Sequence, residues 1–426
     1  MHSKDFDIVV DPVSKIEGHA ELDIRVRNGE VEHVKLKINE NKRFYTQTVR
    51  GKNFNSIPQL VSRICGTCSI AHLNCSAEAL EKALNVELSD QSKLLRKLSM
   101  YGLNIRDHAM HLYLFCLPDI FEKDSVLDFE GEDAQWIKDA FEVKAAGNAL
   151  STLILGRAVH GMFAQIGGYA KVPEKEQTRQ TIEKLKSVRQ RVLKLIDIFY
   201  NRDFKFNRKT NHVCLITKDY SFLEGEVQSS TGICIPEINY WDHLERVVIP
   251  YSQAVGYKFD KGDYMVGAMS RMNMNKSALH PETKKDAAKY LSVFPSDNIY
   301  HNNLAQAIEI LHCIDHSIEI LESSAFVAEK KALPQGKESK GVGVLEAPRG
   351  TLYYMMELDG TGTIKFANII TPSQQNQINL EEDFRQVIPA MLDRDKHDIE
   401  HELEKMIRAY DPCFSCASHF LKVNWI

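Results

Sequence analysis

A chain of 426 residues with 43% hydrophobic and 26% charged residues has the composition of a globular protein that buries a large core. A formal net charge of −5 argues against nucleic acid as a partner. Nine cysteines, with two tight C-x-x-C pairs among them, argue against a secreted disulfide framework and for thiols kept in a reducing, cytoplasmic compartment.

The N-terminus shows no secretory signal; Met1-His2-Ser3-Lys4-Asp5 runs into strand-like Phe6 to Val10. Residues 19–26 alternate polar and apolar, Asn28-Gly29 turns, and 31–38 alternates again, which predicts a hairpin. After Cys65-Gly66-Thr67-Cys68 the pattern becomes helical over 70–85, 89–116, 133–168 and 173–200. No apolar run reaches the length of a membrane span; the longest, 111–117, is short and carries His111. Residues 205–275 are mixed. Helices are expected over 281–293 and 302–330, strands within 340–370, and a charged helix over 380–409. The charge run 393–398 reads as a solvated helix face, and 330–337 as a surface loop. The fold class is α+β: a helical core with strand-rich N-terminal and late elements, in one domain over 1–426.

The second cysteine pair, Cys413-Phe414-Ser415-Cys416, lies near the far end of the chain and is followed by His419. Each C-x-x-C loop holds two sulfurs within reach of one ion, and four thiolates suit a soft or borderline transition metal. A zinc ribbon sets its two pairs about 15–20 residues apart. Here a large domain must fold before the pairs meet, which points to a buried reactive centre closed by the tail. A structural four-cysteine zinc site is the plainer alternative. The other cysteines (Cys75, Cys116, Cys214, Cys234, Cys313) are expected to be buried small hydrophobes. Taken alone, Glu17 reads as a strand-end carboxylate, His72 as structural, and Asp411 as a turn residue before Pro412.

Several segments together resemble the large, catalytic subunit of nickel–iron hydrogenases. They are Ser14-Lys15-Ile16-Glu17-Gly18-His19, the first cysteine motif extended to His72, 107–113 from Asp107-His108, and Gly156-Arg157-Ala158-Val159-His160 with Gly167-Gly168. Tyr264-Met265-Val266-Gly267-Ala268, Glu346-Ala347-Pro348-Arg349-Gly350, Thr371-Pro372-Ser373 and Asp411-Pro412-Cys413 complete the set. The details look most like the cytoplasmic, multi-subunit members, which couple hydrogen to NAD(P), a deazaflavin or a ferredoxin.

The resemblance implies Cys65 and Cys413 as terminal nickel ligands. It implies Cys68 and Cys416 as bridges to an iron that carries cyanide and carbon monoxide. Glu17 would be the proton gate. Arg349 would hang over the open metal position with Asp119 and Asp411 around it. His72 would hydrogen-bond a bridging sulfur, and Pro348-Arg349 and Thr371-Pro372-Ser373 would donate to the cyanides. His419 would ligate a second ion, magnesium or iron. Two departures stand out: Lys15 replaces the family's arginine, and Tyr45-Thr46-Gln47 follows Arg43-Phe44 where a glutamate for that second ion is usual. Residues 420–426 look like a maturation tail, removed by a protease after a chaperone inserts nickel. No further cysteine cluster exists for iron–sulfur ligation, so the clusters would sit on a partner small subunit, with electron-carrier subunits beyond it. A metal-free subunit of the same fold, a hydrogen sensor and a zinc-dependent hydrolase are the other readings; metal content separates them.

Overall fold

Alternation decides the N-terminal element. In the computed structural model, which describes residues 5–40, 44–330 and 334–418, β1 (Phe6–Val10), β2 (Ala20–Arg27) and β3 (Glu30–Ile38) form an antiparallel sheet in chain order. Leu22, Ile24 and Val26 of β2 are buried, as are Val34, Leu36 and Ile38 of β3, while the residues between them are less covered. Asn28 and Gly29, both at positive φ, close the hairpin.

The first helix of the core, α1 (Ser69–Leu84), starts immediately after Cys68 and is buried almost all round. It stops at Asn85 in the left-handed region. α2 (Asp90–Ala109) starts at Ser89, whose hydroxyl accepts the Ser92 N–H at 3.1 Å. A π-helical stretch, Met110–Cys116, prolongs it, followed by the turn Leu117–Ile120. α3 (Ala134–Leu155) is shorter than the helix expected over 133–168. Gly156 ends it at φ 77, and the apolar residues beyond belong to a loop and the small hairpin of 164–165 with 168–169, where Ala164, Ile166 and Tyr169 pack inward. α4 (Lys175–Tyr200) buries Leu185, Val188, Val192, Leu195 and Ile196 along one stripe.

The mixed region carries short strands. β4 (Asn211–Ile216), β5 (Glu226–Ser229) and β6 (Cys234–Pro236) are antiparallel, with Tyr264–Met265 parallel on the other side of β4. β7 (Leu244–Val248) pairs with β8 (Val255–Phe259). α5 (Ala268–Asn275) follows. The helix expected over 281–293 is two short ones, Pro281–Asp286 and Ala288–Leu291, and α6 (His301–Ser323) stops before 330. β9 (Ser339–Ala347), β10 (Gly350–Leu358) and β11 (Ile364–Ile370) form an antiparallel sheet.

The helix expected over 380–409 is two, α7 (Pro372–Val387) and α8 (Lys396–Ala409), separated around Pro389, which has no N–H to continue the ladder. The start of α7 carries no apolar stripe because its polar side chains point inward. Gln375 donates to Thr351 O at 2.6 Å, Asn376 to Val266 O at 3.0 Å, and Gln377 to Leu36 O at 3.0 Å.

α2, α3, α4 and α6 pack together, and α1 lies between this bundle and the β9–β10–β11 sheet. A smaller apolar cluster, including Val213, Leu215, Tyr257 and Tyr353, fills the strand-rich side. Among the described residues no helix is long and apolar enough to cross a membrane.

Candidate metal centre

The two cysteine pairs meet. Cys68 occupies the N-terminus of α1, and Cys65 precedes it in extended backbone. Cys413 precedes the short turn Phe414–Ala417 after α8, and Cys416 lies within it. Their positions differ by 348 in sequence, yet Cys65 Sγ lies 3.5 Å from Cys413 Sγ and Cys68 Sγ 3.1 Å from Cys416 Sγ. Cys413 and Cys416 are 3.1 Å apart, and all four sulfurs lie within 4.8 Å of one another. All four cysteines are buried. Thiol hydrogen bonds from Cys413, Cys416 and Cys68 hold Cys65 well below an ordinary thiol. The hydrogen bond with Cys413 pushes Cys68 up, and burial pushes Cys416 up. A cation bound by all four sulfurs would displace their protons.

Neighbouring segments hold both loops. Tyr45, on the short helix Tyr45–Val49, donates its hydroxyl to Ile64 O at 3.1 Å, and Arg106 donates to the carbonyls of Thr67 and Ala158. Ser373 Oγ accepts the Cys413 N–H at 2.7 Å. The Phe414 N–H donates to Glu17 O at 2.8 Å, so the Glu17 segment runs beside the second loop. Gly18 adopts φ 94, and a Cβ there would sit 2.6 Å from Ser415 N; only glycine fits.

Glu17 is half-buried beside the quartet. Burial pushes its carboxyl up, the Cys65 sulfur adds to this, and Arg349 pulls the other way. Arg349 is buried, with Nη1 2.7 Å from Asp107 Oδ2 and Nη2 2.9 Å from Asp411 Oδ1. Burial opposes its charge, but the two carboxylates outweigh that and raise it further above its usual value. Burial in turn pushes Asp107 up.

Asp119, expected beside Arg349, lies elsewhere. It holds Arg408 through Nε at 2.6 Å and Nη2 at 2.9 Å, and takes Lys15 Nζ at 2.9 Å. Asp107 fills the expected place. Asp119 lies past the π-helical stretch and faces α8 instead. There it still serves the site: Arg408 Nη1 donates to Ser14 O at 3.3 Å, next to the Glu17 segment. Its carbonyl lies 2.8 Å from His111 Nε2, and His111 Nδ1 lies 2.6 Å from Gln306 Oε1. Gln306 donates to Asp411 at 2.8 Å.

His72 Nε2 lies 3.5 Å from Cys416 Sγ, and its Nδ1 lies 2.7 Å from the Tyr354 hydroxyl, which fixes the ring. A small pocket of about 10 Å³ is lined by Cys68, His72, Cys413 and Cys416 together with Ala347, Pro348, Leu352 and Pro372. Arg349 and Ser373 also line it. Ser373 accepts from Cys413, so its own O–H remains to donate. Thr371 does not line the pocket; it caps α7, with its N–H and hydroxyl 3.0 and 3.1 Å from Gln374 Oε1. Arg349 Nε is buried without a hydrogen-bond partner, and Nη2 meets Asp411 as an ion pair outside hydrogen-bond geometry. Four thiols, an adjoining pocket and a buried cation with N–H to spare fit a soft-metal centre with small polar ligands.

His419 and residues 420–426 lie outside the described residues. Cys75, Cys116, Cys214 and Cys313 are buried as expected, but Cys234 is exposed, because it lies on the outer face of edge strand β6. Among the described residues the quartet is the one grouping of His, Cys, Asp or Glu able to hold a metal. A cavity of about 990 Å³ beside Lys97 and Ser221 is lined by none of the four cysteines.

A nickel-dependent hydrogenase family model matches residues 43–146 and 244–419, and a HoxL-like model matches 7–40. The sulfhydrogenase 2 subunit alpha of Pyrococcus furiosus is 30% identical over 422 residues, covering 98% of this chain and 100% of the relative. The NAD-reducing hydrogenase HoxS subunit beta of Cupriavidus necator is 27% identical over 465 residues, covering 97% and 95%. A crystal structure of an NAD+-reducing [NiFe]-hydrogenase in the H2-reduced state superposes with a TM-score of 0.85 at 23% identity, covering 97% of this chain and 99% of that one.

Proposed function

The chain belongs to the nickel-dependent hydrogenase family, and from that membership we propose that its four convergent cysteines hold the nickel–iron centre at which this subunit cleaves dihydrogen. It is the large, catalytic subunit of a hydrogenase, an oxidoreductase acting on hydrogen. The observation that carries the site assignment is the meeting of the two distant cysteine pairs within 4.8 Å.

Cys65, Cys68, Cys413 and Cys416 would together hold the two metals, with Cys65 and Cys413 as nickel ligands and Cys68 and Cys416 shared with the iron. Small polar ligands of such a centre would find Arg349 and Ser373 as donors and Pro348 and Pro372 as apolar walls in the pocket beside the quartet. When bound, the centre supplies the redox-active position at which dihydrogen is split into protons and electrons. Arg349, charged and aimed into the site by Asp107 and Asp411, holds positive charge there. Glu17, raised by burial, takes the proton and passes it outward. His72 donates toward Cys416 and tunes that sulfur.

Electrons would leave to a partner subunit, whose existence the relatives' designations as subunits support, and the iron–sulfur clusters would sit there. The docking face we propose for it is where the Cys65–Cys68 loop reaches the surface at Arg63 and Gly66, beside exposed Arg157 and Met162. Carrier subunits lie beyond that partner. The purified complex is expected to reduce an artificial electron acceptor under hydrogen. Cys416→Ser is expected to abolish both that activity and nickel binding; a fully active, nickel-loaded Cys416→Ser enzyme would contradict the assignment.

A further inference from the structure

The segments Tyr264 to Ala268 and Glu346 to Gly350 meet behind the pocket, and a second buried arginine joins them. Arg271, on α5, is 2% exposed. Its Nε donates to Glu309 Oε1 at 2.7 Å, Nη2 to Glu309 Oε2 at 2.7 Å, and Nη1 to Glu346 Oε2 at 2.8 Å. The other two N–H groups go to main chain: Nη1 to Ala347 O at 3.1 Å and Nη2 to Pro348 O at 3.0 Å. A guanidinium has five N–H groups, and each has an acceptor here. The two carbonyls belong to the residues immediately before Arg349.

The acceptors are themselves fixed. Glu309 takes the Tyr220 hydroxyl at 2.8 Å and lies 2.9 Å from His108 Nε2. Glu346 takes the Leu215 N–H and the Thr351 hydroxyl, both at 2.8 Å. Adjacent residues of α2 thus serve the two arginines: Asp107 meets Arg349 directly, and His108 reaches Arg271 through Glu309. Beyond Arg349, Gly350 adopts φ 128, and a Cβ there would lie 2.8 Å from Gly267 N. Asn376 holds Val266 by a pair of hydrogen bonds at 2.9 and 3.0 Å. The loop carrying Arg349 is therefore gripped on both flanks.

We propose that Arg271 is the positioning residue of this pocket. It fixes the Ala347–Pro348 peptide so that the Arg349 guanidinium and the Pro348 wall keep one geometry, and it does not touch the reacting atoms itself. The inference rests on the reading of the quartet as a nickel–iron centre. Lysine cannot substitute, because an ammonium has three donors and no planar fork.

Infrared spectroscopy of the complex purified with its iron–sulfur partner tests it. Wild-type enzyme without carbon monoxide and cyanide bands overturns the reading of the quartet, and this inference with it. Where wild type shows the bands, Arg271→Lys is expected to retain nickel and iron and to shift or broaden them. Turnover per nickel is expected to fall roughly 10- to 100-fold. The double variant with Arg349→Lys is expected to be no slower than Arg349→Lys alone, because one residue acts through the other. Unmoved bands in Arg271→Lys, or losses that multiply in the double variant, overturn the positioning role alone. Should Arg271→Lys load no metal, Glu346→Gln carries the same test, since its amide N–H would release one arm of the clamp. Shifted bands in that variant support the proposal, and unmoved bands overturn it.

Discussion

Two buried arginines sit on either side of one peptide and are treated in opposite ways. Arg271 has an acceptor for every N–H. Arg349 keeps Nε without a partner and meets Asp411 outside hydrogen-bond geometry. A buried donor left unpaired costs about 1–3 kcal/mol, more when charged. The saturated arginine grips its loop, and the under-satisfied one keeps N–H groups available at the pocket. The same contrast separates Asp119, locked to fully buried Arg408 and Lys15, from Glu17, which faces the quartet half-buried.

The sharpest way to break the contrast lies on the receiving side. Glu17→Gln is expected to keep its metals and lose roughly 10²–10⁴-fold in turnover, because an amide cannot relay a proton; near-normal turnover would remove Glu17 from the path. Arg349→Lys keeps a charge but loses the fork, and a loss of roughly 10²–10³-fold is expected at unchanged metal content. On the scaffold side the effect moves from rate to stability. Asp119→Asn strips Arg408 of its carboxylate and is expected to cost about 3–5 kcal/mol in chemical unfolding, with a much smaller change in turnover per nickel. A variant that lost turnover without losing stability would place Asp119 back at the reacting centre.

The smallest effect is a pH dependence. Burial disfavours the Glu309 carboxylate, but Arg271 and His108 outweigh this and lower it from 4.5 to about 2. A carboxyl held below its unfolded value stabilises the fold above that value, and the contribution fades as pH falls from 4.5 toward 2. Acid titration followed by circular dichroism is expected to show a shallower loss across that window in Glu309→Gln than in wild type.

The cysteine quartet was legible because its signal is local. C-x-x-C fixes two sulfurs at once, and the motifs around Glu17, His72, Arg349 and Asp411 mark the residues found beside the quartet. The support was less legible. Asp107 and Arg349 pair across 242 positions, and Asp107 sits in a helical motif to which the sequence alone assigned no role. Arg271 and Glu309 lie on two helices whose buried charges carry no local mark. Asp119 has the right chemistry but follows the π-helical stretch, so its carboxylate faces α8. In the fold, strict alternation predicted the β2–β3 hairpin well. The length of α3 was over-read because its apolar pattern continues into a loop and a small hairpin whose Ala164, Ile166 and Tyr169 pack inward, and α7 was under-read because its first turns bury amides.

The proposal that the two cysteine pairs hold one nickel is tested most directly by nickel-edge X-ray absorption on the purified complex. A sulfur-dominated shell with iron as the next neighbour, lost in Cys416→Ser, is the predicted result. Zinc in place of nickel, or nickel surrounded by nitrogen and oxygen, would contradict it.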